Sequence, residues 1–219
     1  MTAAEWRKDG TIEYMRELYG KKGLYFVGWL PLPKDTKYFW LASRIPLRNP
    51  GDIKGKKFAC SPPGLPFFKK MGATPVTTPV PEFYAAVERG VADGNWIGID
   101  SYVISSHYEV APYVIDHPFA NSTLVVLLNL KQWNSLPEHL KKLMTEVQLE
   151  TEENWPKLHA KAEAEYKRVA TSKGAKFIKW SPEDAKWLHD IYAEATWEYY
   201  EKLYGSEIIQ KFKQLWGMK

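Results

Sequence analysis

The sequence holds a single cysteine, Cys60, in 219 residues. One thiol excludes an intramolecular disulfide framework and any metal site built from several thiolates. Long apolar runs are missing too. The longest, residues 124–128 with Leu130 after it, falls far short of the roughly 20 residues that span a bilayer. The opening MTAAEWRKDG lacks the charged, apolar and small-residue regions of a secretory signal, so the chain as written carries no export address. Charge of one sign is nowhere concentrated: Lys and Arg number 30 against 26 Asp and Glu. Without a basic block or basic helix, nucleic acid is not an expected partner. Motifs of catalysis are absent as well. The five histidines (His107, His117, His139, His159, His189) show no His-x-x-x-His spacing, and there is no Gly-x-Ser-x-Gly elbow or glycine-rich phosphate loop. Asp93, Asp100 and Asp116 have the chemistry for acid/base work, but their spacing does not bring them together. The chain is read as a non-enzyme with no metal and no cofactor.

What is abundant is aromatic surface. Ten Trp, 13 Tyr and nine Phe supply large flat faces with polar handles, suited to core packing or to stacking against a ligand. With 45% hydrophobic residues the chain can bury a sizeable core, as one large domain or two smaller lobes.

Periodicity predicts a helix over residues 3–20, ended by Gly20, and a strand over 24–29. Residues 38–41 resume extended structure before a turn-rich segment at 49–55. From Lys57 the pattern alternates: strand 57–60, helix 65–71, strand 76–80, helix 82–89, strand 95–99. Alternation of this kind predicts parallel strands joined by right-handed crossovers, with the functional crevice at their carboxyl ends, residues 60–64, 80–82 and 96–100. Residues 113–117 and 123–130 read as further strands, the second apolar enough to be buried. Ser135 with Glu138 forms a capping-box signature for a long charged helix reaching Gly174, which Pro156 is expected to kink or split. A strand at 176–180 precedes a helix opened by Ser181 as N-cap and Pro182 at the first helical position.

An ordered set of short motifs carries a resemblance. Lys54-Gly55-x-Lys57 leads to Met71-Gly72-Ala73-Thr74-Pro75-Val76, then to Glu82 with Tyr84 and to the run Glu88-Arg89-Gly90-Val91-x-Asp93-Gly94. Tyr108-Glu109-Val110 follows, and finally Asn129, Trp133, Asn134 and Leu136-Pro137. In this order the set resembles the solute-binding proteins of TRAP (tripartite ATP-independent periplasmic) transporters, the DctP-like family. The resemblance implies an α/β fold of the periplasmic-binding-protein type II, with two lobes and a long lobe-crossing helix. The early part of the family pattern is missing, so the fold is expected to be N-terminally incomplete. Residues 1–35 would be a remnant of the first lobe and 36–121 the second lobe. Residues 122–175 would supply a return strand and the long helix, and 176–219 a strand and helices packing on the lobes.

The implied function is the extracytoplasmic subunit that captures a small organic solute, of the organic-acid class, for secondary uptake. The implied partners are that solute and the transporter's membrane permease subunits, and the implied location is the periplasm. The alternative is a truncated, non-transporting remnant that serves as a structural or interaction module.

Most members of this family hold a substrate carboxylate with an arginine on the strand after the Lys-Gly-x-Lys entry, where a planar guanidinium pairs with both oxygens. Here that position falls on Ala59, and an asparagine often found after the Asp-Gly pair falls at Ile97. The remaining strand-end candidates are Ser61, Pro62, Trp96, Phe119 and Asn121. Trp96 and Phe119 are expected as opposed flat walls, with Ser61 and Asn121 offering hydrogen bonds, a lining suited to a less charged solute. Lys57 shares the face of Ala59 in an alternating strand and is the candidate replacement cation, ahead of Arg44.

Overall fold

The first helical stretch breaks where a glycine permits it. In the computed structural model, which describes residues 3–30, 38–120 and 123–217, helices α1 (Ala3–Trp6) and α2 (Thr11–Gly20) replace the single helix expected over 3–20. Gly10 between them sits at φ 87°, a left-handed conformation that costs glycine nothing. Asp9 Oδ1 accepts the amide of Thr11 at 2.8 Å and starts the new helix. The chain continues through β1 (Leu24–Leu30), β2 (Phe39–Ser43), β3 (Lys57–Cys60), α3 (Gly64–Lys70), β4 (Thr74–Thr77) and α4 (Phe83–Glu88). Then come β5 (Gly94–Gly98), α5 (Ile99–Ile104), β6 (Tyr113–Ile115), β7 (Leu124–Asn129), α6 (Leu130–Ser135) and α7 (Glu138–Ser172). The last elements are β8 (Lys176–Ile178), α8 (Pro182–Tyr204) and α9 (Ser206–Leu215). Residues 1–36, 122–160 and 207–219 form one compact unit, and residues 37–121 and 161–206 form a second.

In the first unit β1 and β7 pair antiparallel as a two-stranded sheet, with a bulge between Phe26 and Gly28. Ile12, Phe26 and Trp29 make its small buried cluster. Gly28 is required there: a Cβ would stand 2.3 Å from Glu152 Oε1 and 2.7 Å from Gln148 Cγ. Its absence lets α7 lie against the strand. The expectation that residues 123–130 form a buried strand is not met. Leu124 is 59% and Val125 40% exposed, because the described residues supply β7 with only one neighbouring strand.

The second unit is built on a six-stranded sheet in the order β4-β3-β5-β2-β6-β8. Strand β3 runs parallel to both β4 and β5, as the alternating pattern predicts. Strand β2 is inserted antiparallel between β5 and β6, and β8 closes the far edge parallel to β6. Side chains alternate between faces. On one face Phe58 stacks on Phe68 of α3, and Trp96 meets Phe67 of α3 and Tyr192 of α8. On the other, Asn95 reaches His107, which lies beside Tyr84 of α4 and Tyr102 of α5. Each fully buried aromatic side chain contributes about 1.5–3 kcal/mol through the area removed from water.

The helix signals are met unevenly. Ser181 accepts the amide of Asp184 at 3.1 Å and caps α8 as expected. Ser135 does not cap α7; its hydroxyl turns back to the carbonyl of Gln132 at 2.8 Å and closes α6. The cap of that short helix is Asn129, whose Oδ1 accepts from Lys131 and Gln132. Pro156 does not split α7, which runs through it as one 35-residue helix. A proline removes only one backbone donor, and the segments on either side are long enough to continue.

Candidate functional site

The order of crossovers marks the strand ends of the second unit where a ligand crevice is expected. From β3 the chain steps outward to β4, then returns across β3 to β5. The carboxyl ends of β3 and β5 therefore flank the point where the winding reverses, the place where open α/β sheets bind ligands. Strand β3 ends at Cys60 and leads through Ser61 and Pro62 into α3, with the Ser61 carbonyl accepting from Gly64 and that of Pro62 from Leu65. Ser61 is half-buried and Pro62 exposed. Strand β5 ends at Gly98. Because β2 is antiparallel to it, with Phe39 opposite Gly98, Tyr38 and Phe39 arrive at the same edge.

Trp96 and Phe119 are brought together, but as packing. Trp96 is 4% and Phe119 1% exposed. The Trp96 ring stacks on Phe39 at 4.9 Å, Phe119 stacks on Phe67 at 4.8 Å, and Trp96 and Phe119 stand 6.4 Å apart. A solute sandwiched between two rings needs about 7 Å between their planes at ordinary van der Waals distance. The two rings are thus neighbours in one aromatic block and not opposed walls. Gly64 fits the block tightly, since a Cβ there would come within 3.0 Å of the Trp96 ring and 2.8 Å of Cys60 Cβ.

Ala59 is fully buried, between Val76 of β4 and Asn95 of β5 in the sheet. Ile97 is also buried, at 3% exposure. Lys57 keeps the face parity expected of it, yet it begins β3 at the opposite edge of the sheet, exposed, with its amide on Asp93 Oδ2 at 2.8 Å. Arg44 lies at that same far edge, its amide on the Asp93 carbonyl. Neither cation stands at the strand ends. Asn121 lies outside the described residues. Among the three aspartates weighed for catalysis, Asp93 holds the Lys57 amide, Asp100 receives Tyr38, and Asp116 pairs with Lys167 at 2.5 Å. They occupy separate places. His117 is tied to the backbone, its Nε2 accepting from Trp180 at 2.8 Å. No group of three or more His, Cys, Asp or Glu able to hold a metal ion occurs among the described residues.

One polar pair at the crevice edge was not foreseen. Tyr38 donates its hydroxyl to Asp100, 2.9 Å from Oδ1 and 3.1 Å from Oδ2, and Oδ1 also accepts the Ser101 amide at 2.7 Å. Both side chains are half-buried. Burial, and then the neighbouring Asp100 carboxylate, push the Tyr38 hydroxyl up to about 12, so it remains a donor. Gly98 makes the pairing possible, because a Cβ there would stand 2.3 Å from Tyr38 Cζ and 2.6 Å from Asp100 Oδ1. A lone glycine inside a strand pattern was the available signal for this close approach.

Comparison with known proteins agrees with this architecture. The profile of the family described as DctP, bacterial extracellular solute-binding protein, family 7, matches residues 10–203. The 2,3-diketo-L-gulonate-binding periplasmic protein YiaO of Escherichia coli is 30% identical over 109 residues, which are 48% of this chain and 33% of that protein. The chain thus matches about a third of the length of that relative. A TRAP periplasmic solute-binding protein from Desulfovibrio salexigens, solved with bound orotic acid, superposes with a TM-score of 0.83 at 21% identity, over 98% of this chain and 69% of that one. The periplasmic ectoine-binding protein of the TeaABC TRAP transporter from Halomonas elongata gives 0.81 at 19% identity, over 97% and 71%. At such identities the likeness of the two structures is one of fold. No helix among the described residues is long and apolar enough to cross a membrane.

Proposed function

The chain belongs to the bacterial extracellular solute-binding proteins, family 7, and on that premise we propose that it captures a small organic solute in the periplasm for a TRAP transporter. The observation that carries the reading is breadth: the family profile spans residues 10–203, and one fold likeness extends over 98% of the chain. The task is recognition without turnover, so no catalytic group or cofactor is called for, and the partner that receives the solute is the membrane permease. The relatives bind orotic acid, ectoine and 2,3-diketo-L-gulonate; what passes to this chain is the class, a small polar organic molecule. The grip on it is formed at the carboxyl ends of β3 and β5, by Ser61, Pro62 and the half-buried ring of Phe39.

The test is a binding screen of the purified 219-residue chain against organic acids, amino acids and amines, read by tryptophan fluorescence and by melting temperature. A true ligand at a hundred times its Kd raises stability by about 2.7 kcal/mol, an easily measured shift. Saturable binding by at least one compound, weakened by Ser61→Ala and not by an exposed far-edge change such as Lys57→Ala, is the expected result. Failure of every compound to bind saturably refutes the proposal.

A further inference from the structure

The charge at the crevice edge points to the class of solute. At the ends of β3 and β5, the positions on the sheet itself are apolar and sealed, with Ala59 fully buried and Ile97 3% exposed. The cations near these strands in sequence, Lys57 and Arg44, stand at the other edge beside Asp93. Among the described residues, the charged side chain next to the end of β5 is a carboxylate. Asp100 follows the last residue of β5 by two positions, and its only side-chain partner among the described residues is the Tyr38 hydroxyl, a neutral donor. No Lys, Arg or His nitrogen of the described residues lies within 4.0 Å of it, although Asp116 at the same edge of the sheet is paired with Lys167.

Placement of the pair is built into the backbone. Tyr38 is held by its amide on the Ala120 carbonyl at 2.6 Å. Gly98 leaves the space in which the phenol and the carboxylate lie over the strand. A carboxylate has about four lone-pair directions across its two oxygens. Oδ1 accepts from Tyr38 and Ser101, whereas Oδ2 takes only the longer contact with the same hydroxyl. Oδ2 keeps capacity for a further donor. At the same edge the half-buried ring of Phe39 meets Tyr38 edge-on at 5.0 Å and stacks on Trp96. A carboxylate oxygen with spare acceptor capacity, at an edge that also carries an aromatic ring, suits a positively charged nitrogen.

Resting on the solute-capture reading, we infer that the Tyr38–Asp100 pair is the subsite for a cationic, N–H-bearing group of the solute, an ammonium or amidinium. The solute is therefore an organic cation or a zwitterion with an apolar body, and a dianionic acid is disfavoured. Tyr38 orients the carboxylate, Asp100 accepts from the charged nitrogen, and Phe39 covers its carbon neighbours.

The experiment uses the 219-residue chain and probes that share a skeleton and differ in terminal charge: diaminobutane, aminobutyrate and succinate, with phenethylamine and phenylacetate as the aromatic pair. Affinities are measured by fluorescence titration and saturation-transfer NMR up to about 10 mM, a range that reaches millimolar Kd. Amine-bearing probes should bind at least about tenfold tighter than their carboxylate counterparts, the size of one charge-assisted hydrogen bond. Asp100→Asn, which keeps the shape and a Tyr38 partner, should erase that advantage by weakening the amines, while carboxylate probes, relieved of a like charge, should bind no more weakly than before. N-trimethylated aminobutyrate should bind more weakly than aminobutyrate, because it has charge but no donor. On the unmodified chain, added NaCl should weaken amines alone, a readout that does not depend on the variant folding. Carboxylates binding as tightly as amines, or amine binding indifferent to Asp100→Asn in a folded variant, or salt-independent amine binding, would overturn the inference alone. Absence of saturable binding by every compound of the wider screen would overturn solute capture itself.

Discussion

Glu152→Ala tests what holds α7 to the first unit. The carboxylate is buried at 4% exposure and engages Arg7 through both oxygens, with Nε to Oε2 at 2.7 Å and Nη2 to Oε1 at 2.7 Å. Gln148 Nε2 donates to the same Oε1 at 2.9 Å and also to the Trp29 carbonyl at 2.9 Å, and the Trp29 amide approaches Oε1 at 3.4 Å. Truncation leaves the Arg7 guanidinium, whose side chain is 20% exposed, without its counter-ion in a largely dry site. Breaking one half of a buried ion pair costs about 3–5 kcal/mol, mostly for the charge left behind. Replacing both halves by apolar groups of similar volume is close to neutral, so Arg7→Met with Glu152→Leu should recover most of the loss. Urea denaturation followed by tryptophan fluorescence measures the difference, and hydrogen exchange assigns it. Amides of β1 and β7 should lose protection in Glu152→Ala while those of β3 and β5 keep theirs. A loss under about 1 kcal/mol, or equal loosening of both units, would refute the view that this network pins the helix.

Three further outcomes follow from burial. Trp96→Ala should destabilise the second unit by about 3–5 kcal/mol, seen as an earlier urea transition; a near-neutral effect would show that the ring is not a packing element. Cys60 is fully buried and its thiol is pushed up to about 12 by burial, so Ellman's reagent should leave the native chain unmodified at pH 8 and react only in urea. His107, 2% exposed between Tyr84, Tyr102 and Asn95, has its pKa lowered from 6.5 to about 4 by burial. Its folded pKa lies below the unfolded one, so the unfolded chain takes the proton first. Stability of the second unit should be unaffected by this group above pH 7 and should fall as pH drops from about 6.5 toward 4, by up to roughly 3 kcal/mol. His107→Gln should flatten that part of the profile, and an unchanged slope would refute the assignment.

What was legible in the sequence was what local pattern controls. The alternation from Lys57 to Gly98 named three strands and their crossovers, because β-strand and helix periods differ and Gly72 and Gly90 end the intervening helices at φ 76° and 71°. Ser181 with Pro182 announced α8, since the cap is satisfied within the next turn. Ser135 followed by Glu138 looked alike on paper, but the serine hydroxyl had a nearer carbonyl in the helix it ends. The split expected at Pro156 and the burial expected of residues 123–130 failed for a different reason. The length of α7 and the exposure of β7 depend on neighbours in the tertiary fold, which a window of sequence does not contain.

The site shows the same division between backbone and side chains. That β3, β4 and β5 end at one edge of the sheet, at residues 60–64, 80–82 and 96–100, could be read from the alternating pattern, and the parallel pairing of β3 with β4 and β5 agrees with it. Which side chains remain available there could not. Trp96 and Phe119 have the chemistry of a ligand wall, yet Phe67 from α3 and Tyr192 from α8, remote in the chain, turn them into core. Lys57 has the right parity on the wrong end of its strand, because alternation sets the face and says nothing of height along it. Asp100 was visible only as a strand-end carboxylate. Its significance comes from Tyr38, which is 62 residues away and enters through the antiparallel insertion of β2 beside β5. A strand running against its neighbours delivers its first residues to their last ones, and that inversion places a hydroxyl and a carboxylate over Gly98 at the carboxyl edge of β5.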